Sequence, residues 1–394
     1  MTSIEQLPTP CLVVEERLLQ ANLDRMASQL SALGVPLRPH FKTCKNIDML
    51  RRSLEGQPGG VTVSTLAEAD ACARAGINDI LYAVGIAPGK LPAVCERVRA
   101  GISLKIVLDH PDTATAVAQY ARREDLALDV LLEIDADGER AGLPPGHPDL
   151  LKAAAILAEG GCRVTGVMVH AGGSYRCRDI DCLKRVAEQE RVAATTAAAR
   201  LGAQGHSISV VSVGSTPTAL FAQGLEGVTE VRAGVYMFQD LVMAGLGVCR
   251  VEDIALSVLA EVIGHRRGRG EVVIDAGWTA LSRDRGTADQ PLDQGYGMVC
   301  DLEGRPVDNV IVRSTNQEHG IVTGRDGAPL EPVDWPIGRR LRILPNHACA
   351  TAACHAGYHL IRTADSSAQW LPRCQPQLLA GNRVEPGQAQ GVMP

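Results

Sequence analysis

A chain of 394 residues, 45% hydrophobic and 21% charged, has the material for one large barrel-type domain or two ordinary ones, and its composition is that of neither a disordered nor a fibrous protein. A net charge of -6 and a pI near 6.0 give no electrostatic basis for nucleic acid or anionic membrane as a partner. Three Phe, six Tyr and three Trp leave little for base stacking.

The opening "MTSIEQLPTPCLVVEERL" lacks a basic segment followed by an apolar one, and no uncharged apolar run reaches bilayer length, so the chain reads as cytoplasmic with no membrane partner. Within it, "TPCLVVEERLL" reads as a strand running into a helix, and residues 1–25 are expected to join a later β domain. From Pro36 onward, short β-branched runs alternate with alanine-rich segments whose apolar residues fall three or four apart. The predicted strands cover residues 36–41, 61–65, 79–84, 104–109, 128–135, 164–170, 208–215 and 230–237. Eight such alternations within residues 26–255 predict a (β/α)8 TIM barrel, an α/β fold. An open doubly wound sheet would alternate similarly, and the count of eight favours closure. After Ile254 the texture changes to short strands separated by turn residues, which predicts a β domain over residues 256–375. The final stretch, 376–394, is rich in Pro, Gly and Gln and is expected to fray. Twelve scattered cysteines without a CxxC pair read mostly as small buried core residues in a reducing compartment.

In a barrel of this type the working face is the C-terminal end of the strands. That rule selects Lys42, Ser64, Thr65, Asp109, Asp135, His170, the run Gly214-Ser215-Thr216 and Tyr236. Lys42 leaves the first strand toward the barrel mouth, where lost hydration lowers an amine pKa and makes it a Schiff-base nucleophile, whereas Lys45 falls in the start of the following helix. Most lysines are solvated surface groups, so position alone does not decide the matter. "VGSTPTA" supplies a turn, two hydroxyls and a helix start suited to an anion, with a plain helix cap as the alternative. Arg232 and Gly234 follow on the eighth strand, the glycine permitting close backbone approach and the arginine serving either the same ligand or a structural ion pair. His347 and Cys349 stand two apart on a segment read as extended, so imidazole and thiolate can share a divalent cation, zinc or another borderline metal. Two ligands do not close a tetrahedral site; water, substrate or a distant residue such as His319 would complete it. The polar, glycine-rich "DAGWTALSRDRG" and "QGYG" segments read as surface loops or as loops reaching the mouth, the former slightly favoured.

Taken together, "RPHFKT", "HAGGSY", "GSTPT", "EVRAGVYMFQD", "DAGWTALSRDRG", "GYG", "EHG" and "PNHAC" resemble, in order, the motifs of the D-serine dehydratase and D-threonine aldolase family of pyridoxal phosphate enzymes with the alanine racemase fold. The resemblance runs from about Thr9 to about Arg362. It implies a barrel plus a C-terminal β domain, paired head to tail in a homodimer with shared active sites. It further implies that Lys42 is the cofactor lysine and general base, that His40, Tyr175 and Tyr236 belong to the cofactor site, and that Gly214, Ser215, Thr216 and Gly234 contact the phosphate. Arg232 matches the arginine facing the pyridine nitrogen in alanine racemases, and His347 with Cys349 matches the metal pair, with zinc expected and manganese or magnesium as alternatives. The implied substrates are small D-3-hydroxy amino acids. A His and Cys pair resembles the dehydratases, which release a 2-oxo acid and ammonia; aldolases, which give glycine and an aldehyde, carry His and Asp there. A racemase of the same fold is the further alternative.

Overall fold

The computed structural model of the chain describes residues 2–362 and 367–374, so the expected fraying of 376–394 lies outside the described residues. Two N-terminal strands, β1 (Thr2–Ser3) and β2 (Cys11–Glu15), precede eight parallel ones: β3 (Leu37–Pro39), β4 (Val61–Val63), β5 (Asp79–Gly85), β6 (Ser103–Leu108), β7 (Asp129–Ile134), β8 (Arg163–Val169), β9 (Val210–Val213) and β10 (Glu230–Ala233). Their order in the sheet is β3-β10-β9-β8-β7-β6-β5-β4, and a parallel bridge between His40 and Thr62 joins the two ends into a barrel. Each of the eight predicted strands is present, and the helices between them start where the sequence offers a cap. Asn46, Thr65, Asp179 and Ser215 each accept a hydrogen bond from a backbone N–H in the first turn of the following helix.

Inside the barrel, Leu81, Val107, Leu131, Met168 and Val210 form an aliphatic cluster contributed by consecutive strands β5 to β9. The β3/β10 side is polar instead. Arg232 pairs directly across from Arg38 on the adjacent strand, and Glu230 lies across from Ser212. The Arg38 guanidinium donates to Glu230 at 2.6 Å and to Asp79 at 2.8 Å; Ser212 donates to Glu230 at 2.6 Å and accepts from Arg232 at 2.7 Å. Removing one partner of such a buried pair costs about 3–5 kcal/mol, because the other charge is left unpaired.

The remaining strands, β11 (Leu256–Arg266), β12 (Glu271–Ile274), β13 (Met298–Cys300), β14 (Pro306–Thr315), β15 (Gly320–Gly324), β16 (Arg340–Leu344), β17 (Gly357–Ile361) and β18 (Ser367–Pro372), make a second sheet with β1 and β2. β2 sits inside it, antiparallel to β11 and parallel to β17, and then runs directly into the helix Glu16–Ala32 on the barrel. The buried Asn22 side chain on that helix donates to the carbonyls of Met237 and Asp253, which ties the barrel exit to the same helix. Backbone bonds from Leu241 to Pro345 and from Val242 to Asn346 dock the end of the barrel against the β domain. Those bonds place His347 over the barrel mouth.

The cysteines depart from expectation at one point. Ten are free and seven of these are buried, but Cys177 and Cys182 form a disulfide between the loop after β8 and the first turn of the helix Ile180–Ala203. No helix among the described residues is long and apolar enough to cross a membrane.

Candidate active site

The ends of the barrel strands, the segment that follows β10 and two segments of the β domain, the loop through Asp284 and the helix start at His347, enclose a cavity of about 390 Å3. Lys42 enters it from the turn after β3, Gly214 to Thr216 from the turn after β9, and Arg232 from β10 with Gly234 just past its end; β10 lies between those two strands. A molecule spanning Lys42 and the 214–216 turn therefore crosses the end of β10. Lys45 does not reach the cavity. It sits in the turn before the helix Ile47–Leu54, not in the helix as expected, and pairs with the buried Glu68 at 3.1 Å.

Burial lowers the Lys42 pKa, and Arg140 and Arg232 push it the same way while Cys349 opposes them. An amine in this setting is more readily neutral than a surface lysine, as a nucleophile or base requires. His40 is also held well below its usual value, by burial first and by Lys42 and Arg232 next. His170, selected from the sequence by its place at a strand end and as the first residue of "HAGGSY", is held near a pKa of about 3 by burial and by Arg140 and Arg232. Its Nδ1–H donates to the Gly214 carbonyl at 3.1 Å, leaving a buried Nε2 without a partner in the cavity wall. The Gly214 N–H and the Ala171 N–H share one acceptor, Oε1 of the buried Glu190, which clamps the exits of β8 and β9 together.

Two glycines bring backbone to the cavity surface. Gly214 has φ +127°, and a Cβ added there would lie 2.4 Å from the Arg232 carbonyl oxygen; at Gly234 it would lie 2.5 Å from the Thr43 hydroxyl. Ser215 caps the helix Thr216–Phe221, and Pro217 is its second residue. This cradle, the amine opposite it, the Arg232 guanidinium between them and the orphaned His170 nitrogen fit a phosphorylated aldehyde cofactor.

The opposite wall carries His347, Cys349, Asp240 and Asp284. His347 and Cys349 are not on one extended run as expected. His347 is the N-cap of the helix Ala348–Ala353 and Cys349 lies in its first turn, a junction that still sets the two side chains within hydrogen-bonding reach of each other. The Cys349 sulfur is 3.2 Å from the Thr43 hydroxyl, one residue from Lys42. Asp284 accepts from His347 Nδ1 at 2.8 Å. Burial alone would lower the His347 pKa, but Asp284 and Cys349 together raise it to about 11; the Cys349 thiol, which burial would raise, is lowered by His347, Thr43 and Lys42. An imidazole and a thiol polarised in this way are the donor set of a borderline divalent cation, which would take the place of the shared proton. Among the described residues no group of three or more His, Cys, Asp or Glu side chains could hold a metal, so the chain offers two ligands here. His319 is exposed on the β14–β15 hairpin and is not a third.

Ten of the residues expected at the site line the cavity: His40, Lys42, Tyr175, Gly214, Ser215, Thr216, Arg232, Gly234, His347 and Cys349. Tyr236 does not. Its ring is buried beside Leu23, Leu37 and Ser53 on the other side of the strand end, and only its backbone N–H, donating to Thr216 Oγ1 at 3.1 Å, lies near the 214–216 turn. Of the other strand-end residues, Thr65 caps a helix, Asp109 accepts from Gly142 N, and Asp135 accepts from the amides of residues 137 and 138. Sequence reasoning missed Thr43, Glu133, Arg140, Asp240 and Asp284, all lining the cavity. "DAGWTALSRDRG" reaches the mouth through Asp284 and Gly286, against the slight preference for a surface loop.

Comparison with known proteins accords with this geometry. Residues 14–241 match the family described as alanine racemase, N-terminal domain, and residues 255–361 the putative serine dehydratase domain. The chain is 48% identical over 370 residues to D-threo-3-hydroxyaspartate dehydratase of Delftia sp. (strain HT23), covering 93% of this chain and 97% of that protein. It is 30% identical over 380 residues to D-serine dehydratase of Dictyostelium discoideum, covering 91% and 94%. The solved Delftia enzyme matches with a TM-score of 0.93 over 95% of this chain and 99% of that one, and a variant of it has been solved in a metal-free form. D-threonine aldolase from Filomicrobium marinum matches with a TM-score of 0.76 at 25% identity, over 94% and 96%. With one family covering the barrel, another the β domain, and relatives spanning nearly the whole length, the chain belongs to the D-serine dehydratase and D-threonine aldolase family, pyridoxal phosphate-dependent lyases of the alanine racemase fold.

Proposed function

We propose that the protein dehydrates a D-3-hydroxy amino acid to a 2-oxo acid and ammonia, with D-threo-3-hydroxyaspartate as the leading substrate and D-serine next. The observation that carries this reading is the pairing of an imidazole with a thiol, His347 and Cys349, within one side chain of the turn that bears Lys42. Lys42 would hold the cofactor covalently, the 214–216 turn and Gly234 its phosphate, and His347 with Cys349 a divalent cation, zinc by the softness of the thiolate. When bound, pyridoxal phosphate supplies the electron sink that acidifies the substrate Cα–H, and the cation supplies a Lewis acid for the β-hydroxyl.

The chain's own residues do the rest. Lys42 Nζ, whose pKa burial lowers, takes the Cα proton as general base. Arg232, fixed by Ser212 and by the Val169 carbonyl, keeps a cation under the floor of the cavity. Loss of the hydroxyl as water leaves an enamine, which hydrolyses to the 2-oxo acid and ammonia. Arg140 lines the cavity from an exposed position and makes no salt bridge among the described residues, which favours a substrate carboxylate over a neutral side chain. The similarity to the Delftia enzyme, 48% against 30% for a D-serine dehydratase, supports the same choice. A head-to-tail homodimer with shared sites remains part of this proposal and rests on the family resemblance.

The test is product analysis. Purified protein with pyridoxal phosphate and zinc is incubated with D-threo-3-hydroxyaspartate, D-serine and D-threonine. Oxaloacetate with ammonia from the first supports the reading; glycine with an aldehyde, or racemised substrate, rejects it.

A further inference from the structure

The loop between β12 and β13 brings a carboxylate to the metal-binding wall from a part of the sequence that carries no other cavity side chain. Asp284 lies 63 residues before His347, yet its Oδ2 is 2.8 Å from His347 Nδ1. Asp284 is itself held through both its side chain and its backbone. Its Oδ1 accepts from Gly286 N at 2.8 Å, its backbone N–H donates to Ser282 Oγ at 3.2 Å, and its carbonyl accepts from Asn346 Nδ2 at 3.1 Å. Asn346, the residue before His347, is buried and donates also to Gly295 while accepting from Thr287. Among the described residues Asp284 pairs with no lysine or arginine, so its charge is directed at one imidazole.

We infer that Asp284 is a positioning residue for the metal: it fixes the His347 ring and its tautomer so that the remaining nitrogen, Nε2, is presented as a ligand beside the Cys349 sulfur. The inference rests on the proposal above that His347 and Cys349 hold a divalent cation. Hydrogen bonding of Nδ1–H to a carboxylate leaves Nε2 with its lone pair free and makes it a better donor, a common arrangement behind metal-bound histidines. Asp284 is not itself a third ligand. Its oxygen is at hydrogen-bond distance from a ring nitrogen, which that bond occupies, and no three-donor cluster includes it among the described residues. On the other side, Asp240 accepts from Ala348 N at 2.9 Å and so fixes the backbone between the two ligands, while Thr43 contacts the sulfur. With two protein ligands, a freely rotating imidazole would forfeit much of the chelate, so a ring held from behind matters more here than in a closed four-ligand site.

The test uses the full-length holoenzyme, wild type with Asp284→Ala and Asp284→Asn, titrated with zinc against a chromophoric chelator, with the visible absorbance of the bound cofactor and turnover recorded in parallel. Asp284→Ala should weaken zinc binding by about 10–100-fold, and Asp284→Asn, which keeps an acceptor oxygen but no charge, by about threefold or more. Cofactor absorbance should be unchanged, and turnover of Asp284→Ala should return as zinc is raised. Wild-type zinc affinity in both variants would overturn the inference, as would loss of cofactor together with zinc or turnover that excess zinc does not restore. Should the alanine variant not fold, the asparagine variant decides by the same criterion. A wild-type protein that binds no zinc defeats the metal proposal itself, which is a distinct result.

Discussion

The two walls of the cavity are held by different kinds of interaction. On the barrel wall, strand register does the placing: Arg232 lies across from Arg38, Glu230 across from Ser212, and the turns after β3 and β9 follow a few residues later. On the β-domain wall no strand points a side chain at the site. His347, Cys349 and Asp284 come from a helix start and a loop, and single polar side chains such as Asn346 and Asp240 hold them there. The barrel wall should therefore tolerate loss of a polar side chain in the loops while keeping its cofactor, and the loop wall should be the fragile one.

That contrast can be broken at several strengths. Lys42→Ala removes the amine on the barrel wall and should lower turnover by at least about 10³-fold through lost proton transfer alone, with no covalent cofactor detectable after borohydride reduction and mass spectrometry. Lys45→Ala, three residues away and paired with Glu68, should stay within about threefold of wild type in turnover; a large loss there, with Lys42→Ala active, would reverse the assignment. Asn346→Ala strips the loop wall of its buried anchor and leaves the Gly295 carbonyl and the Thr287 hydroxyl without that partner. It should cost about 3 kcal/mol in denaturant unfolding and weaken metal retention, with cofactor binding retained in the protein that remains folded. Tyr236→Phe is the smallest change. Its ring faces Leu23 and Ser53, away from the cavity, so cofactor affinity should not move and stability should shift by less than about 1 kcal/mol. A tenfold loss of cofactor would restore Tyr236 to the site.

The same contrast explains what could be read from the sequence. All eight barrel strands stood out because each is a short β-branched run bounded by a helical segment, and Lys42 was selected by its place at a strand exit and decided only by the motif it shares with the family. Tyr236 was misplaced because β10 ends at Ala233, before the run of β-formers does, and the turn at Gly234 directs the next side chains elsewhere. His347 and Cys349 were found by residue type, though the extended geometry assumed for them is a helix start. Asp284 and Asp240 lay inside two of the motifs that carried the resemblance but were not singled out, and Arg140 gave no signal, since each is a single polar residue in a loop whose destination depends on contacts 60 or more residues away or on how neighbouring loops pack. The Cys177–Cys182 pair was invisible for a similar reason: a spacing of five residues matches no metal or redox motif, and only the turn between β8 and the next helix brings the sulfurs together.

Whether the two walls are separate devices serving one reaction is tested most directly by chelation. Holoenzyme is dialysed against EDTA, its visible spectrum recorded, and turnover of D-threo-3-hydroxyaspartate measured before and after zinc is returned. Cofactor absorbance should persist throughout, and turnover should fall by about 100-fold or more and recover with zinc. Full turnover in the chelated protein, or release of the cofactor together with the metal, would contradict the account.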